Sequence, residues 1–207
     1  MIPLSPSNTV IMRVEAPSSA ESTAQIAAEL ADKGVGLRGM DVETSGGGTV
    51  IIHITCDTGS PEHAAEVVGD LELIPGVKVL DLSDATFLAH QGGKIEIALK
   101  APIRNRADLS RVYTPGVARV CQAIAEEPAR ARDLTIKRNT VAVVTDGTAV
   151  LGLGDIGPAA AMPVMEGKAA LFKQFGGVDA WPVCLDTTDT EEIISVVKAI
   201  APGYGGI

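Results

Sequence analysis

The sequence predicts an α+β protein in two parts: a βαββαβ sandwich over residues 1–86, with both helices on one face of an antiparallel sheet, and an α/β unit over residues 87–207. Three observations predict it. The apolar period switches between 2 and 3.6 in the order strand, helix, strand, strand, helix, strand as far as Leu82. A linker-like stretch, Ala85 to Gly93, closes on two glycines, and beyond it strand and helix patterns alternate with no internal repeat. With 207 residues, 46% hydrophobic and 3% aromatic, the chain can fill two small aliphatic cores.

In the first part, Val10, Met12 and Val14 alternate with Thr9 and Arg13, the period of a half-buried strand. Ala20, Thr23, Ala27, Leu30 and Ala31 then share one helical stripe, closed by Gly34. The strand Val35 to Thr44 slips phase at Gly39, which predicts a bulge and points Leu37, Met40 and Val42 inward. Gly46-Gly47-Gly48 makes a turn into a strand with Val50, Ile52, Ile54 and Cys56 on its inner face. Ser60-Pro61 is an N-cap followed by a first-turn proline, for a helix carrying Ala64, Val67, Val68 and Leu71. Pro75-Gly76 ends it, and Val77 to Leu82 is the last strand. The order is that of a ferredoxin-like sandwich.

In the second part, Lys94 to Leu99 reads as an apolar strand. Thr114-Pro115 supplies a cap and a first-turn proline for a helix whose Val117, Val120, Cys121 and Ile124 form a buried stripe ending before Pro128. Thr140 to Thr145 is a buried strand, Ala169 to Phe175 is helical, and Val183 to Leu185 lies in a further strand. Asp189 with Glu192 is a capping-box-like start to a helix through Ile200.

Composition excludes some functions. With 17 basic against 26 acidic residues the net charge is -9, and no basic cluster offers the phosphate-neutralising patch that nucleic acids require. Apolar stretches break within about ten residues, short of the roughly 20 that span a bilayer. Met1 to Thr9 has neither the basic nor the apolar region of a secretory signal, and three widely spaced cysteines, Cys56, Cys121 and Cys184, read as small buried hydrophobes. A soluble cytoplasmic protein is expected.

Two motifs invite nucleotide chemistry. Gly152-Leu153-Gly154-Asp155-Ile156-Gly157 fits G-x-G-x-x-G after an apolar strand, with Asp179 downstream. Pro158 and Pro163 argue against the unbroken helix a dinucleotide turn needs, so a tight turn shaping a pocket is the preferred reading. Glu166-Gly167-Lys168-Ala169 lacks the glycine spacing and the Ser/Thr of a phosphate-binding loop. Lys168, at the mouth of a helix, is either a solvated charge or, between Met162-Pro163-Val164-Met165 and Ala169-Ala170-Leu171-Phe172, desolvated towards the neutral amine a general base needs. Tyr113 stands directly before the Thr114-Pro115-Gly116 helix start, as a packing residue or a catalytic group.

The first part resembles the ACT regulatory domain over about residues 8–83, which implies pairing with a second copy and an amino-acid effector at the shared edge. Its loop Ala16-Pro17-Ser18-Ser19 lacks the glycine of many ligand-binding members, so a purely structural or dimerisation module stays open. The runs Tyr113 to Ala118, Thr145 to Pro158 and Pro163 to Ala169 together are similar to the N-terminal catalytic domain of bacterial malic enzymes, over residues 90–207.

That resemblance implies oxidative decarboxylation of malate to pyruvate and carbon dioxide, with Lys168 as general base and Tyr113 as general acid. It also implies NAD or NADP, a divalent metal (Mg or Mn) and a homo-oligomer. Base and acid have similar intrinsic pKa values and are separated in role by their surroundings. Ala149 stands where animal-type relatives carry a carboxylate-gripping arginine. The sequence reaches Gly205-Gly206-Ile207 where the family continues into its metal ligands and nucleotide-binding domain, so no metal or cofactor ligand is assigned here and the chain reads as part of a longer protein.

Overall fold

A computed structural model describes residues 3–44 and 48–207. Two compact units divide at Gln91/Gly92.

The first unit runs β1 (Thr9–Pro17), α1 (Ala20–Asp32), β2 (Gly36–Thr44), β3 (Thr49–Asp57), α2 (Pro61–Leu71) and β4 (Lys78–Asp84). The sheet order is β2-β3-β1-β4, every pair antiparallel, so the two halves of this unit interleave as a βαββαβ sandwich. The register of β2 on β3 shifts between Leu37 and Gly39, the bulge expected from the phase slip. Met12, Val14, Ile52 and Ile54 from the central strands meet Ile26 and Leu30 of α1 and Val67 and Leu71 of α2 in one core. Each of the larger aliphatics contributes about 1.5–3 kcal/mol by leaving water.

Two helix starts are capped by serine: Ser19 accepts from the N–H of Ser22, and Ser60 from that of His63 with Pro61 at the first helical position. His63 ties the helices together. Its Nδ1 accepts from Gly59 N–H at 3.0 Å, so Nε2–H donates to the Lys33 carbonyl, also at 3.0 Å.

The structure corrects several details. α1 buries Ser22, Ile26 and Leu30 rather than the stripe read through Thr23 and Ala27, because the Ser19 cap draws Ser22 inward and satisfies it. Leu37 and Val42 are 49% and 52% exposed, since β2 is an edge strand beyond the reach of the helices; only Met40 of the three packs on the core. Ala85–His90, read as linker, is a helix, α3, because the Asp84 carboxylate accepts from the N–H groups of Thr86 and Phe87. Of the turn Gly46-Gly47-Gly48, the first two residues lie outside the described residues.

The second unit contains α4 (Arg106–Val112), α5 (Val117–Glu126), α6 (Ala131–Leu134), β5 (Thr140–Thr145), α7 (Pro158–Gly176), β6 (Asp179–Cys184) and α8 (Thr190–Ile200). β5 and β6 pair in parallel from Thr140↔Asp179 to Thr145↔Cys184, with α7 as the crossover. Gly206 bridges the other edge of β5, its carbonyl accepting from Ala142 N–H at 3.1 Å. The Lys137 ammonium holds that segment by donating to the carbonyls of Ala201, Pro202 and Tyr204. Asp189 caps α8 by accepting from Glu192 N–H at 2.8 Å.

Here too the structure differs from the pattern. Lys94 to Leu99 has the alternation of a strand but pairs with none, and Ile97 and Leu99 stay exposed. Thr114 does not cap α5: the Thr114-Pro115 peptide is cis, and the helix begins at Val117 behind Gly116. Its stripe is half-buried at Val117, Val120 and Ile124, while Cys121 is exposed rather than buried. No helix among the described residues is long and apolar enough to cross a membrane.

Candidate active site

Lys168 lies inside α7, not at its mouth. The helix starts at Pro158 and continues through Pro163 and Gly167, so the expectation that Pro163 would interrupt it is overturned. A single interior proline removes one hydrogen bond, and the rest of a long, alanine-rich helix carries the chain past it. The face that packs on β5 and β6 is Ala161, Met165 and Ala169, spaced i, i+4, i+8. Lys168 sits beside that seam and is exposed, as are Met162, Val164 and Leu171. The apolar neighbours in sequence therefore do not desolvate this lysine; the helix turns most of them to the surface as well.

Both ends of α7 are set by glycines. At the start, Gly157 has φ +79° and its N–H donates to Asp155 Oδ1 at 3.3 Å. The Gly147 carbonyl faces the same corner, accepting from Ile156 N–H at 3.2 Å, while its N–H donates to Thr145 Oγ1 at 3.1 Å. Asp146 folds this loop, accepting from the N–H of Thr148 at 3.0 Å and its hydroxyl at 2.8 Å. Those bonds hold the Asp146 carboxyl below the ordinary range. At the far end Gly177 takes a left-handed conformation, and Val178 N–H reaches the Phe172 carbonyl. Asp179 then receives the Lys173 ammonium at 2.6 Å and the Asn139 amide at 3.0 Å; the lysine, ahead of the amide, holds its carboxyl low.

On another face of α7 lies the segment that follows the Gly92–Gly93 turn. The Glu166 carboxylate accepts from Lys94 N–H at 3.3 Å, and Lys94 Nζ donates to the Pro163 carbonyl at 2.7 Å. Gly93, at φ +88°, comes so close that a Cβ there would stand 3.1 Å from Glu166 Oε1. Neither Glu166 nor Lys94 stood out in the sequence. The glutamate sat in a run read for its lysine, and Lys94 opened a supposed strand.

Tyr113 ends α4. The helix is capped by Asn105, which accepts from Asp108 N–H at 2.9 Å, and braced by the Arg111–Asp108 ion pair at 2.7 Å. Tyr113 N–H still reaches Leu109, while its own carbonyl accepts from Val117 N–H at 2.8 Å, so one residue closes α4 and opens the path to α5. Gly116 is obligatory in this turn: a Cβ would stand 2.4 Å from the Ser110 carbonyl oxygen. The tyrosine ring is 67% exposed.

Tyr113 belongs to the α4, α5, α6 packing group and Lys168 to the β5, α7, β6 group. Among the described residues no hydrogen bond joins their side chains. The glycine run does not open directly from the strand as a dinucleotide turn would. β5 ends at Thr145, and Val150 and Gly154 exchange hydrogen bonds of 2.8 and 2.9 Å in a small hairpin ahead of α7. Among the described residues no group of three or more His, Cys, Asp and Glu could hold a metal ion.

The second unit thus joins a parallel βαβ unit, with Lys168 on its crossover helix, to a helix–helix turn that carries Tyr113. The model of the malic enzyme N-terminal domain matches residues 92–199, and the chain belongs to that family. It is 57% identical over 198 residues to the NAD-dependent malic enzyme of Geobacillus stearothermophilus, covering 96% of this chain and 41% of that protein. It is 44% identical over 197 residues to NAD-dependent malic enzyme 1 of Bacillus subtilis, covering 95% and 45% respectively. The chain thus spans less than half the length of these curated relatives. Among solved structures, the NAD-dependent malic enzyme of Thermotoga maritima aligns at TM-score 0.58 and 52% identity, over 60% of this chain and 36% of that one.

Proposed function

We propose that this chain is the first catalytic portion of an NAD(P)-dependent malic enzyme that converts malate to pyruvate and carbon dioxide, with Lys168 as general base and Tyr113 as general acid. The observation that carries the reading is Lys168 itself: it lies in the run Pro163 to Ala169, inside the family match, on a helix anchored at both ends. The nicotinamide cofactor supplies the hydride acceptor for C2, and the residues of this chain move protons. Lys168 takes the proton of the 2-hydroxyl as C2 is oxidised to the ketone of oxaloacetate. The bond from C3 to the leaving carboxylate then breaks, giving carbon dioxide and the enolate of pyruvate, and Tyr113 delivers a proton to C3 to yield pyruvate. The divalent ion implied by the family has no ligand set among the described residues. Lys168→Ala in the complete protein abolishes malate-dependent pyruvate formation; undiminished turnover would remove Lys168 from the reaction.

The first unit favours a second role. Its antiparallel βαββαβ sheet, with Leu80 and Leu82 exposed on the edge strand β4, suits an ACT-type module that pairs with its copy in a homodimer or takes an amino-acid effector. Analytical ultracentrifugation tests the pairing, and a thermal-shift screen over amino acids and malate tests the effector. A monomer that responds to none of them would exclude both.

A further inference from the structure

We infer that Glu166 and Lys94 form a positioning clamp for Lys168, holding α7 at the turn from which the lysine projects; the inference rests on the malic-enzyme reading of Lys168. The clamp grips the side of the helix away from the base. At about 100° per residue, Glu166 and Lys168 point to nearly opposite sides of α7, whereas Pro163 and Glu166, three apart, share one side. Lys94 engages both members of that shared side, its N–H bonding the Glu166 carboxylate at 3.3 Å and its ammonium the Pro163 carbonyl at 2.7 Å.

This is also where α7 is least self-supporting. Pro163 lacks the N–H that would bond to Ala159, and Gly167 costs about 1 kcal/mol relative to alanine in a helix interior. The turn between them is held from outside by a segment 72 residues earlier in the chain, which Gly93 brings within van der Waals distance of the carboxylate. Loss of the clamp lets this turn tilt and displaces the Lys168 amine from the proton it removes. Residues outside this turn keep their places. The cost therefore falls on the chemical step.

The test uses the complete enzyme, with kcat and KM for malate expressed per folded molecule. Glu166→Ala is expected to lower kcat about tenfold while KM changes less than about twofold, and Glu166→Gln, which keeps an acceptor oxygen, to recover to within about threefold of the parent. Lys94→Met retains the main-chain bond and loses the ammonium, and is expected to fall between them. The deuterium isotope effect on kcat with malate deuterated at C2 rises in Glu166→Ala as the chemical step becomes more limiting. Parent kcat in both Glu166→Ala and Lys94→Met, with Lys168→Ala inactive, overturns the clamp alone. Equal loss in the Gln and Ala variants at Glu166 also overturns it, since a hydrogen bond to the remaining oxygen then plays no part. Full turnover in Lys168→Ala overturns the base assignment beneath it. Should Glu166→Ala fail to fold, Lys94→Met carries the same reading.

Discussion

Gly147 and Gly157 meet backbone to backbone: a Cβ placed on Gly147 would stand 2.1 Å from the Gly157 carbonyl carbon and 2.3 Å from its oxygen. Both residues have φ +79°, so the corner that launches α7 is closed to any side chain on conformational grounds as well. The position of Lys168 along its helix is measured from this corner.

Gly147→Ala is accordingly expected to destabilise the second unit by about 3 kcal/mol, at the high end for a single substitution, because it combines an unfavourable φ with a clash against main chain. Gly152→Ala is the control. Its φ is +81° but the space around it is open, so about 1 kcal/mol is expected. Denaturant unfolding of the two variants side by side checks this, and equal losses would show that the close approach is relieved at little cost.

Tyr113→Phe in the complete enzyme keeps the ring at the α4–α5 turn and removes only the hydroxyl. It is expected to slow pyruvate formation by about 10²-fold or more, the usual contribution of a positioned acid. Because the ring is exposed, folding should be unaffected. Measured against oxaloacetate decarboxylation and enolpyruvate tautomerisation separately, parent rates in both would exclude the tyrosine as the acid.

Lys137→Met removes an ammonium that donates to three carbonyls after α8. A loss of about 1 kcal/mol is expected, together with faster hydrogen exchange at Gly205 and Gly206, whose amides reach the Thr140 carbonyl. Unchanged exchange at those two amides would show that the sheet edge holds the segment without the lysine.

The cysteines should separate by reactivity. Burial, then the neighbouring Asp57 charge, pushes the Cys56 thiol up to about 11, whereas Cys121 is exposed. At neutral pH an alkylating reagent is expected to label Cys121 readily and Cys56 only on unfolding. The sign of the pH dependence follows: below the ordinary value of 9.0 the thiol keeps its proton folded or unfolded, and between 9.0 and about 11 only the unfolded chain releases it. Stability present below pH 9 is thus lost as pH rises through that window. Melting temperatures from pH 8 to 11 should fall more steeply for the parent than for Cys56→Ala; parallel curves would contradict it.

Much of the fold was legible because its signals are local. Ser60-Pro61 and Asp189 cap helices through atoms two or three residues away, and Gly39 breaks a strand's phase at the residue where the register shifts. The candidate site was legible for a different reason: three runs of residues around Tyr113, Gly152 and Lys168 carried the family. What misled was local pattern without its partner. Lys94 to Leu99 alternates like a strand but pairs with no strand among the described residues, and most of the apolar residues around Lys168 lie on the outside of the helix.

By itself, then, the sequence determined the order of strands and helices, the interleaved βαββαβ of the first unit, the malic enzyme family, and Tyr113 and Lys168 as the groups to consider. Tertiary structure alone decided that α7 runs unbroken through Pro163, that Lys168 is exposed on it, and that Gly147 admits no side chain. It alone joined Lys94 to Glu166, 72 residues apart. Periodicity and capping depend on neighbours within a turn or two, which any reader of the chain can see. Exposure and long-range hydrogen bonds depend on which surfaces meet, and that is settled only when whole elements pack.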